Sequence, residues 1–398
     1  GYDNLWILQF DSCTDASAAY DYYSTRAGID HVEADKKIKS AFSAIIDYNP
    51  VSDGEPEENL SWGPEHIGIN KFNSDILEKA PSVSDTVVAV VDTGVDPDHP
   101  FLEGRVIPTK INTSSSGIRN NSEDDHGHGT RVAGIIADCT LDNVYIKPYK
   151  VMDKHGNGTV VTVAAGINCA IRDGVDVINI SIGFEEDSEI LKSAIRKAEE
   201  NDIVVVSAAG NDASDAIYYP ASYNTVLKVT AITEENIFAN FSSFGNGVDI
   251  AAPGVNITTT NMGGGYITVK GTSFASPFVA AAAAAINSVI PNASSEDIRE
   301  IIISSALEVN EYESEKKFGN GILFMPYYND DLIHGNKTDE PYFSHIPAYY
   351  TENVNLEIFC EDENAEIYYT TNRSIPSKNN PYAKIYDGNP IVLSETTI

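Results

Sequence analysis

The sequence predicts an α/β fold: a doubly wound, mostly parallel sheet with helices on both faces, preceded by a small α+β segment and followed by an all-β module. Three observations predict it. Short apolar, β-branched runs recur at Val87–Val91, Val144–Tyr149, Val175–Ile180, Ile203–Ser207 and Val226–Ala231. Helical patterns lie between them at His128–Ala137, Val160–Arg172 and Ser188–Glu200. The runs are continuously apolar rather than alternating, as strands covered on both faces must be. Alternation of strand and helix implies parallel pairing with right-handed crossovers.

The elements fall into three expected domains. Residues 1–55 carry a strand-like start at Leu5–Phe10, a helical stretch around Ala16–Ala27, and a second extended run, Ile29–Asp35. Pro50–Asn59 is acidic and contains Pro and Gly, which reads as an exposed linker. Residues 56–326 hold the alternating core. Near its end, Ser294-Ser295-Glu296-Asp297 has the pattern of a helix N-terminus before Ile298–Leu307. From 327 to 398 the composition turns to Tyr, Asn, Thr and Asp. Period-2 runs such as Ala365–Thr371 are separated by turn residues at Pro376, Asn379-Asn380-Pro381 and Asp387-Gly388. The first residue is Gly1 and the last, Ile398, falls in a strand-like run, so the chain reads as an excerpt of a longer precursor.

Composition narrows the function classes. With 398 residues, 42% of them hydrophobic, the chain can bury a large core. Its formal net charge of −33 repels phosphate backbones, so nucleic acid is not an expected partner. The surplus serves solubility first; a sharper reading is calcium binding or a taste for basic substrates. The longest apolar run, Phe278–Ile286, is mostly alanine and reads as a buried helix rather than a membrane span. Four scattered cysteines (Cys13, Cys139, Cys169, Cys360) make neither a zinc pattern nor a disulfide framework, and Cys169 reads as a small core residue.

Three segments carry chemistry. Asp92 ends the run Val87–Val91 and precedes Thr93-Gly94, placing a carboxylate at the C-terminal edge of a strand. His128 opens His-Gly-Thr-Arg-Val-Ala-Gly, a helix start. Ser273 lies in Gly271-Thr272-Ser273-Phe274-Ala275-Ser276-Pro277, before an Ala-rich helix whose N-terminus favours negative charge. Pro277 is expected in the first helical turn, where its missing N–H is not needed. A serine hydroxyl is a weak nucleophile and needs a base within reach. A carboxylate that fixes the base completes an acid, base and nucleophile set for acyl transfer.

In that order, Asp then His then Ser, the chain resembles the subtilisin-like serine proteases (subtilases) over roughly residues 60 to 325. The resemblance implies a secreted or cell-surface serine endopeptidase, made as a zymogen, that acts on proteins or peptides. It selects His128 over the neighbouring His126, since the base of the family stands directly before Gly-Thr; His126 is then a residue of the cleft rim. It makes Asn211, in Ser207-Ala208-Ala209-Gly210-Asn211-Asp212, a side-chain donor to the oxyanion, with the Ser273 amide as the second. It makes Ser181-Ile182-Gly183 and Gly156-Asn157-Gly158 backbone edges that pair with substrate, so that Gly156 and Gly158 line the cleft. Ser61-Trp62-Gly63-Pro64 resembles the start of a mature subtilase, and Gly319–Leu323 the glycine-rich strand that closes the domain. Val32-Glu33-Ala34-Asp35 resembles the last strand of a subtilase propeptide. Residues 1 to about 42 would then be the enzyme's own inhibitor, cut away between Lys39 and Leu60. Ile367–Thr371 with Thr396-Thr397-Ile398 resembles the small chitobiase-like β module of surface enzymes, which implies contact with cell wall or glycan.

The chain also departs from the family. No cofactor is required of a subtilase, while calcium is often bound. In His99-Pro100-Phe101-Leu102, however, Phe101 takes the place of a calcium-ligating Asp, and a phenyl ring cannot ligate a hard cation. Tyr218 falls where relatives have a small residue at the base of the pocket for the residue preceding the scissile bond. That makes the pocket shallow, whereas Asp212 and Asp215 would draw a basic side chain; the two readings conflict. Arg131 gives a His-Gly-Thr-Arg string also seen in the kexin-like branch. Competing functions are a pseudoprotease or peptide-binding regulator, and an adhesin whose β module does the work with the protease attached.

Overall fold

The computed structural model describes residues 8, 13–26, 29, 31–35, 50–51, 60–80, 82–114, 121–309 and 314–325. Beyond these it describes 342–343, 354–356, 358–359, 367–369, 384–389 and 391–393. The chain divides into two units, 1–328 and 329–398.

In the first unit the strands are β1 (Pro50–Val51), β2 (Thr86–Asp92), β3 (Val144–Lys150), β4 (Val177–Ile180), β5 (Val204–Ala208), β6 (Val226–Ile232), β7 (Ile250–Pro253), β8 (Ile257–Thr260) and β9 (Tyr266–Val269). Its helices are α1 (Cys13–Ser24), α2 (Gly63–His66), α3 (Ile69–Lys79), α4 (His128–Cys139), α5 (Val160–Arg172), α6 (Glu189–Glu200), α7 (Thr272–Val289), α8 (Ser295–Ser304) and α9 (Ser314–Phe318). Six strands form one parallel sheet in the order β3-β2-β4-β5-β6-β7. The chain leaves β2 to one side for β3 and returns to the other side for β4. That reversal opens a crevice at the carboxyl ends of β2 and β4, where α/β folds place their functional groups.

Both faces of the sheet are covered. Ala89, Val91, Ile178, Ile180 and Val205 pack with residues of α5 and α6 in one buried cluster. The alternate residues Val88 and Val90 are equally buried and face the opposite side, where α4 and α7 lie. α7 is long and apolar enough to cross a membrane by length and composition, but 94% of it is buried. It is the central core helix, as the alanine-rich run predicts: small side chains let it press against several strands.

Helix boundaries follow the capping signals. The Ser188 hydroxyl accepts from the Leu191 amide at the start of α6. Ser294 and Asp297 exchange bonds in a capping box at α8, and Thr159 and Thr162 do so at α5.

Several expectations are corrected. Part of the expected linker, Pro50–Val51, is a strand that pairs antiparallel with Tyr266–Ile267 of the β8-β9 hairpin. Gly319–Leu323 is no strand; it makes single bridges from Gly319 to Ile250 and from Ile322 to Ala251 and Leu307. Its glycines sit at φ +62 (Gly319) and +137 (Gly321), which break a regular ladder. His31–Asp35 carries no assigned strand. The expected Leu5–Phe10 strand falls outside the described residues except for Leu8, which is exposed. Cys139 and Cys169 are both buried.

In the second unit the described strands pair antiparallel: Tyr342–Phe343 (β10) with Ile358–Phe359 (β12), Val354–Leu356 (β11) with Ile391–Leu393 (β15), and Tyr368–Tyr369 (β13) with Lys384–Ile385 (β14). Thr396–Ile398 lies outside the described residues.

Candidate active site

Asp92, His128, Asn211 and Ser273 all stand where an element meets the crevice. Asp92 is the last residue of β2 and fully buried. His128 is the first residue of α4, and its Nδ1 lies 2.8 and 2.9 Å from the two carboxylate oxygens of Asp92. A carboxylate only accepts, so Nδ1 carries the proton and Nε2 holds a lone pair. That Nε2 is buried and has no hydrogen-bond partner among the described residues. The carboxylate is further fixed by the Thr93 amide at 2.7 Å.

A tight loop sets this geometry. Thr93 accepts from the Gly129 amide (2.9 Å) and donates to Asp124 (2.9 Å). Asp124 also accepts from the amides of His126, Gly127 and Thr130 and from the Thr130 hydroxyl. Burial alone would raise this carboxyl, but those donors hold it below its usual range. Gly129 is obligatory: a Cβ there would stand 2.0 Å from the Gly94 carbonyl. Lys150, buried beside Asp92 in register, donates to the Thr93 carbonyl (2.5 Å) and to Asp125 (2.6 Å).

Ser273 is the second residue of α7 and fully buried. The ring of the next residue, Phe274, lies 5.4 Å from the His128 ring, which sets this turn of α7 beside the imidazole. The Ser273 hydroxyl donates to the Ser181 carbonyl at 3.2 Å. Pro277 sits in the second turn of α7 rather than the first, as the helix begins at Thr272. The Ser273 carbonyl, four residues before it, therefore lacks a helical donor. The Ser181 hydroxyl supplies one, at 3.0 Å.

Asn211 follows β5 and Gly210. Its Oδ1 accepts from the Thr272 amide (2.9 Å) and hydroxyl (3.0 Å). That pins the amide, and its Nδ2 is left buried without a partner among the described residues. A buried N–H with nothing to bond is costly, and it is suited to a ligand oxygen that the crevice would admit.

The expected substrate edges are placed as follows. Ser181, Ile182 and Gly183 follow β4 and are buried; the Ile182 side chain belongs to the core cluster, so only its backbone is available. Gly156 (φ +72) turns the loop closed by Asp153, and Gly158 precedes the α5 cap. Gly156 lies against His126, whose ring is 6.4 Å from that of His128. Burial, then the His128 neighbour, lowers the His126 imidazole. Asp212 accepts from the Tyr218 hydroxyl, and Asp215 pairs with Lys316 at 3.0 Å. Phe101 packs edge-on against Tyr266 (6.2 Å), an aromatic contact where a calcium ligand would stand, so the residues here do not fit that ion.

Three contributions escaped the sequence reading: Thr272 as the orienter of Asn211, Asp124 as the knot of the loop, and the Ser181 hydroxyl as a donor to α7. The signals were present, as a Thr before the Ser, an Asp ahead of the His, and a Pro four residues past the Ser.

The subtilase family model matches residues 84–321. The chain belongs to the subtilase family. It is a subtilisin-like serine endopeptidase. An intracellular serine protease of Paenibacillus polymyxa is 38% identical over 255 residues, covering 60% of this chain and 78% of the relative. Subtilisin DY of Bacillus licheniformis is 37% identical over 252 residues, 59% of this chain and 88% of that one. A cell wall-associated protease of Bacillus subtilis is 31% identical over 339 residues, 78% of this chain and 36% of its own length.

Proposed function

We propose that Asp92, His128 and Ser273 are the catalytic triad of this endopeptidase and that Asn211 is its oxyanion donor. The observation that carries this reading is a pair of buried atoms without a partner among the described residues, His128 Nε2 and Asn211 Nδ2, on side chains that meet Phe274 and Thr272 at the start of α7. On binding a peptide, the Ser273 hydroxyl exchanges the Ser181 carbonyl for Nε2, a tightening common between free and bound sites. Nε2 takes the proton and Oγ attacks the carbonyl carbon. The carbonyl oxygen becomes an oxyanion held by Asn211 Nδ2 and the Ser273 amide. Collapse breaks the C–N bond, and the proton on Nε2 passes to the leaving amine. Water then gives a proton to Nε2 as its oxygen bonds to the acyl carbon; the C–Oγ bond breaks, Nε2 returns the proton to Ser273 Oγ, and the acyl group leaves as the carboxylic acid. Asp92 keeps the tautomer and stabilises the imidazolium. No step uses a metal or cofactor. The backbones of Ser181–Gly183 and Gly156–Gly158 pair with the extended substrate. Labelling of Ser273 by a serine-directed fluorophosphonate, absent in Ser273→Ala, tests this assignment; an unreactive wild type overturns it.

Residues 1 to about 42 are proposed as an inhibitory pro-region, cleaved between Lys39 and Leu60. Supporting this, the Glu33 carboxylate accepts from the Ser188 hydroxyl and the Glu189 amide, and Asp35 accepts from the Val161 amide. The two acids thus sit on the N-termini of α6 and α5, where the helix dipole favours negative charge. A zymogen of this kind fits secretion or display at the cell surface. The second unit, with its paired strands, is proposed as a module for cell-wall or glycan contact.

A further inference from the structure

The walls of the crevice say which side chains the enzyme accepts. An acyl carbon reached by Ser273 Oγ, with its oxygen on Asn211 Nδ2, must lie between two backbone segments. One, residues 181–184, leaves β4; the other, residues 209–211, leaves β5. The parent strands are hydrogen-bonded neighbours, so the segments stand side by side. The Ser181 carbonyl touches Ser273 Oγ, and Asn211 is the donor itself. The side chain of the residue on the acyl side of the scissile bond therefore enters the space between them.

That space has a floor. The Tyr218 amide donates to the Ala209 carbonyl at 3.3 Å, and Tyr219 exchanges both backbone bonds with Phe184 at 2.8 Å. Residues 218–219 thus tie one wall to the other. The Cδ2–Cε2 edge of the Tyr218 ring lies against Gly210: a Cβ there would be 2.6 Å from Cδ2 and 2.9 Å from Cε2. The hydroxyl at its far end donates to Asp212. Burial, then the Asp212 carboxylate, raises this phenol well above its ordinary value, so it stays a donor. Floor contact, wall contact and hydroxyl anchor hold the ring in place, and the residue is only 9% exposed.

Building on the triad reading, we infer that Tyr218 fills the specificity pocket and restricts cleavage to bonds that follow a small residue, glycine, alanine or serine. A longer side chain has to displace the ring and break its bond to Asp212. A basic side chain gains little, because Asp212 is engaged by Tyr218 and Asp215 by Lys316.

Peptide anilides that differ only in the residue before the anilide (Ala, Phe or Lys) test this on the full chain after self-processing. Each preparation is titrated first with a fluorophosphonate. The wild type is expected to favour Ala over Phe and over Lys by about 100-fold in kcat/KM, the discrimination a shaped apolar pocket gives. Tyr218→Gly is expected to raise the Phe-to-Ala ratio by about 100-fold. Tyr218→Phe, which keeps the ring and frees Asp212, is expected to keep the bias against Phe while raising the Lys-to-Ala ratio. A labelled wild type that cleaves after Phe as readily as after Ala overturns the inference even if Tyr218→Gly does not fold. So does a Tyr218→Gly enzyme with an unchanged ratio. A wild type that is not labelled at all overturns the triad reading, and this inference with it.

Discussion

Ser181 and Ser273 hold each other by a reciprocal pair of bonds: the Ser181 hydroxyl donates to the Ser273 carbonyl at 3.0 Å, and the Ser273 hydroxyl donates to the Ser181 carbonyl at 3.2 Å. The first bond exists because Pro277 cannot donate to that carbonyl. It ties the start of α7 to the end of β4. Ser181→Ala leaves a buried acceptor unsatisfied, and the expected loss is about 1–3 kcal/mol. Measured as the melting temperature in an inactive Ser273→Ala background at a fixed scan rate, the drop should shrink when Pro277→Ala restores an N–H donor. Equal drops with and without Pro277→Ala would show that the Ser273 carbonyl does not need Ser181.

His128→Ala and Ser273→Ala are each expected to lower kcat by about 10^6-fold, and the double variant little further, because the residues act as one unit. Steady-state hydrolysis of an Ala anilide checks this. Additive losses would mean that the two side chains do not share a proton.

Asn211→Ala removes the free Nδ2 that Thr272 aims. The corresponding asparagine is the reference case in subtilisin, where its loss costs about 100- to 1,000-fold in rate. The fall here should appear in kcat with KM nearly constant, since the bond strengthens only as the oxyanion forms. Thr272→Val, which removes the hydroxyl bond to Asn211 Oδ1 and keeps the amide bond, should lower kcat by a smaller factor. A change confined to KM would assign Asn211 to ground-state binding.

Asp138, on α4, accepts from the Leu60 amide at 3.0 Å, yet burial pushes its carboxyl up to about 7. The folded chain therefore holds a proton that the unfolded chain releases near pH 4. Between about pH 4 and 7 the folded state binds more protons, so this group's contribution to stability falls as pH rises. Asp138→Asn should raise the melting temperature more at pH 8 than at pH 5. An equal gain at both values would show that Asp138 is already ionised at pH 5.

Glu33→Gln with Asp35→Asn removes two charges from the N-termini of α6 and α5. Each such contact is worth about 0.3–1 kcal/mol at an exposed site. The full chain should then show a shorter lag before activity, with N-terminal sequencing locating the cut between Lys39 and Leu60. An unchanged lag would detach these acids from inhibition.

Most of the parallel sheet was legible because its strands are short, continuously apolar runs set between helical patterns. α5 is predicted to the residue, Val160–Arg172, and α6 is preceded by its Ser188 cap. The motif residues were legible because each needs a particular neighbour, such as the glycine after His128. Less legible were elements made by tertiary pairing. β1, for example, is two residues long and exists only because β9 offers an edge. The glycine-rich run at 319–323 has strand-like residues, but its positive-φ glycines leave only bridges. In the site, sequence pointed to the groups but not to what aims them. The opposed readings of Tyr218 and Asp212 looked like rivals in one dimension; in three they are a single hydrogen-bonded pair.

α7 carries Ser273 at its tip and runs through the core of the first unit against β2, β4, β5, β6 and β7. The proposed nucleophile is therefore mounted on the part of the fold expected to open last. Amides of α7 should exchange with solvent only when the whole domain opens, and the fraction of enzyme that still reacts with an active-site label should track the fraction still folded. Self-digestion, a hazard for any protease, must then begin at the periphery while the cutting edge is still intact.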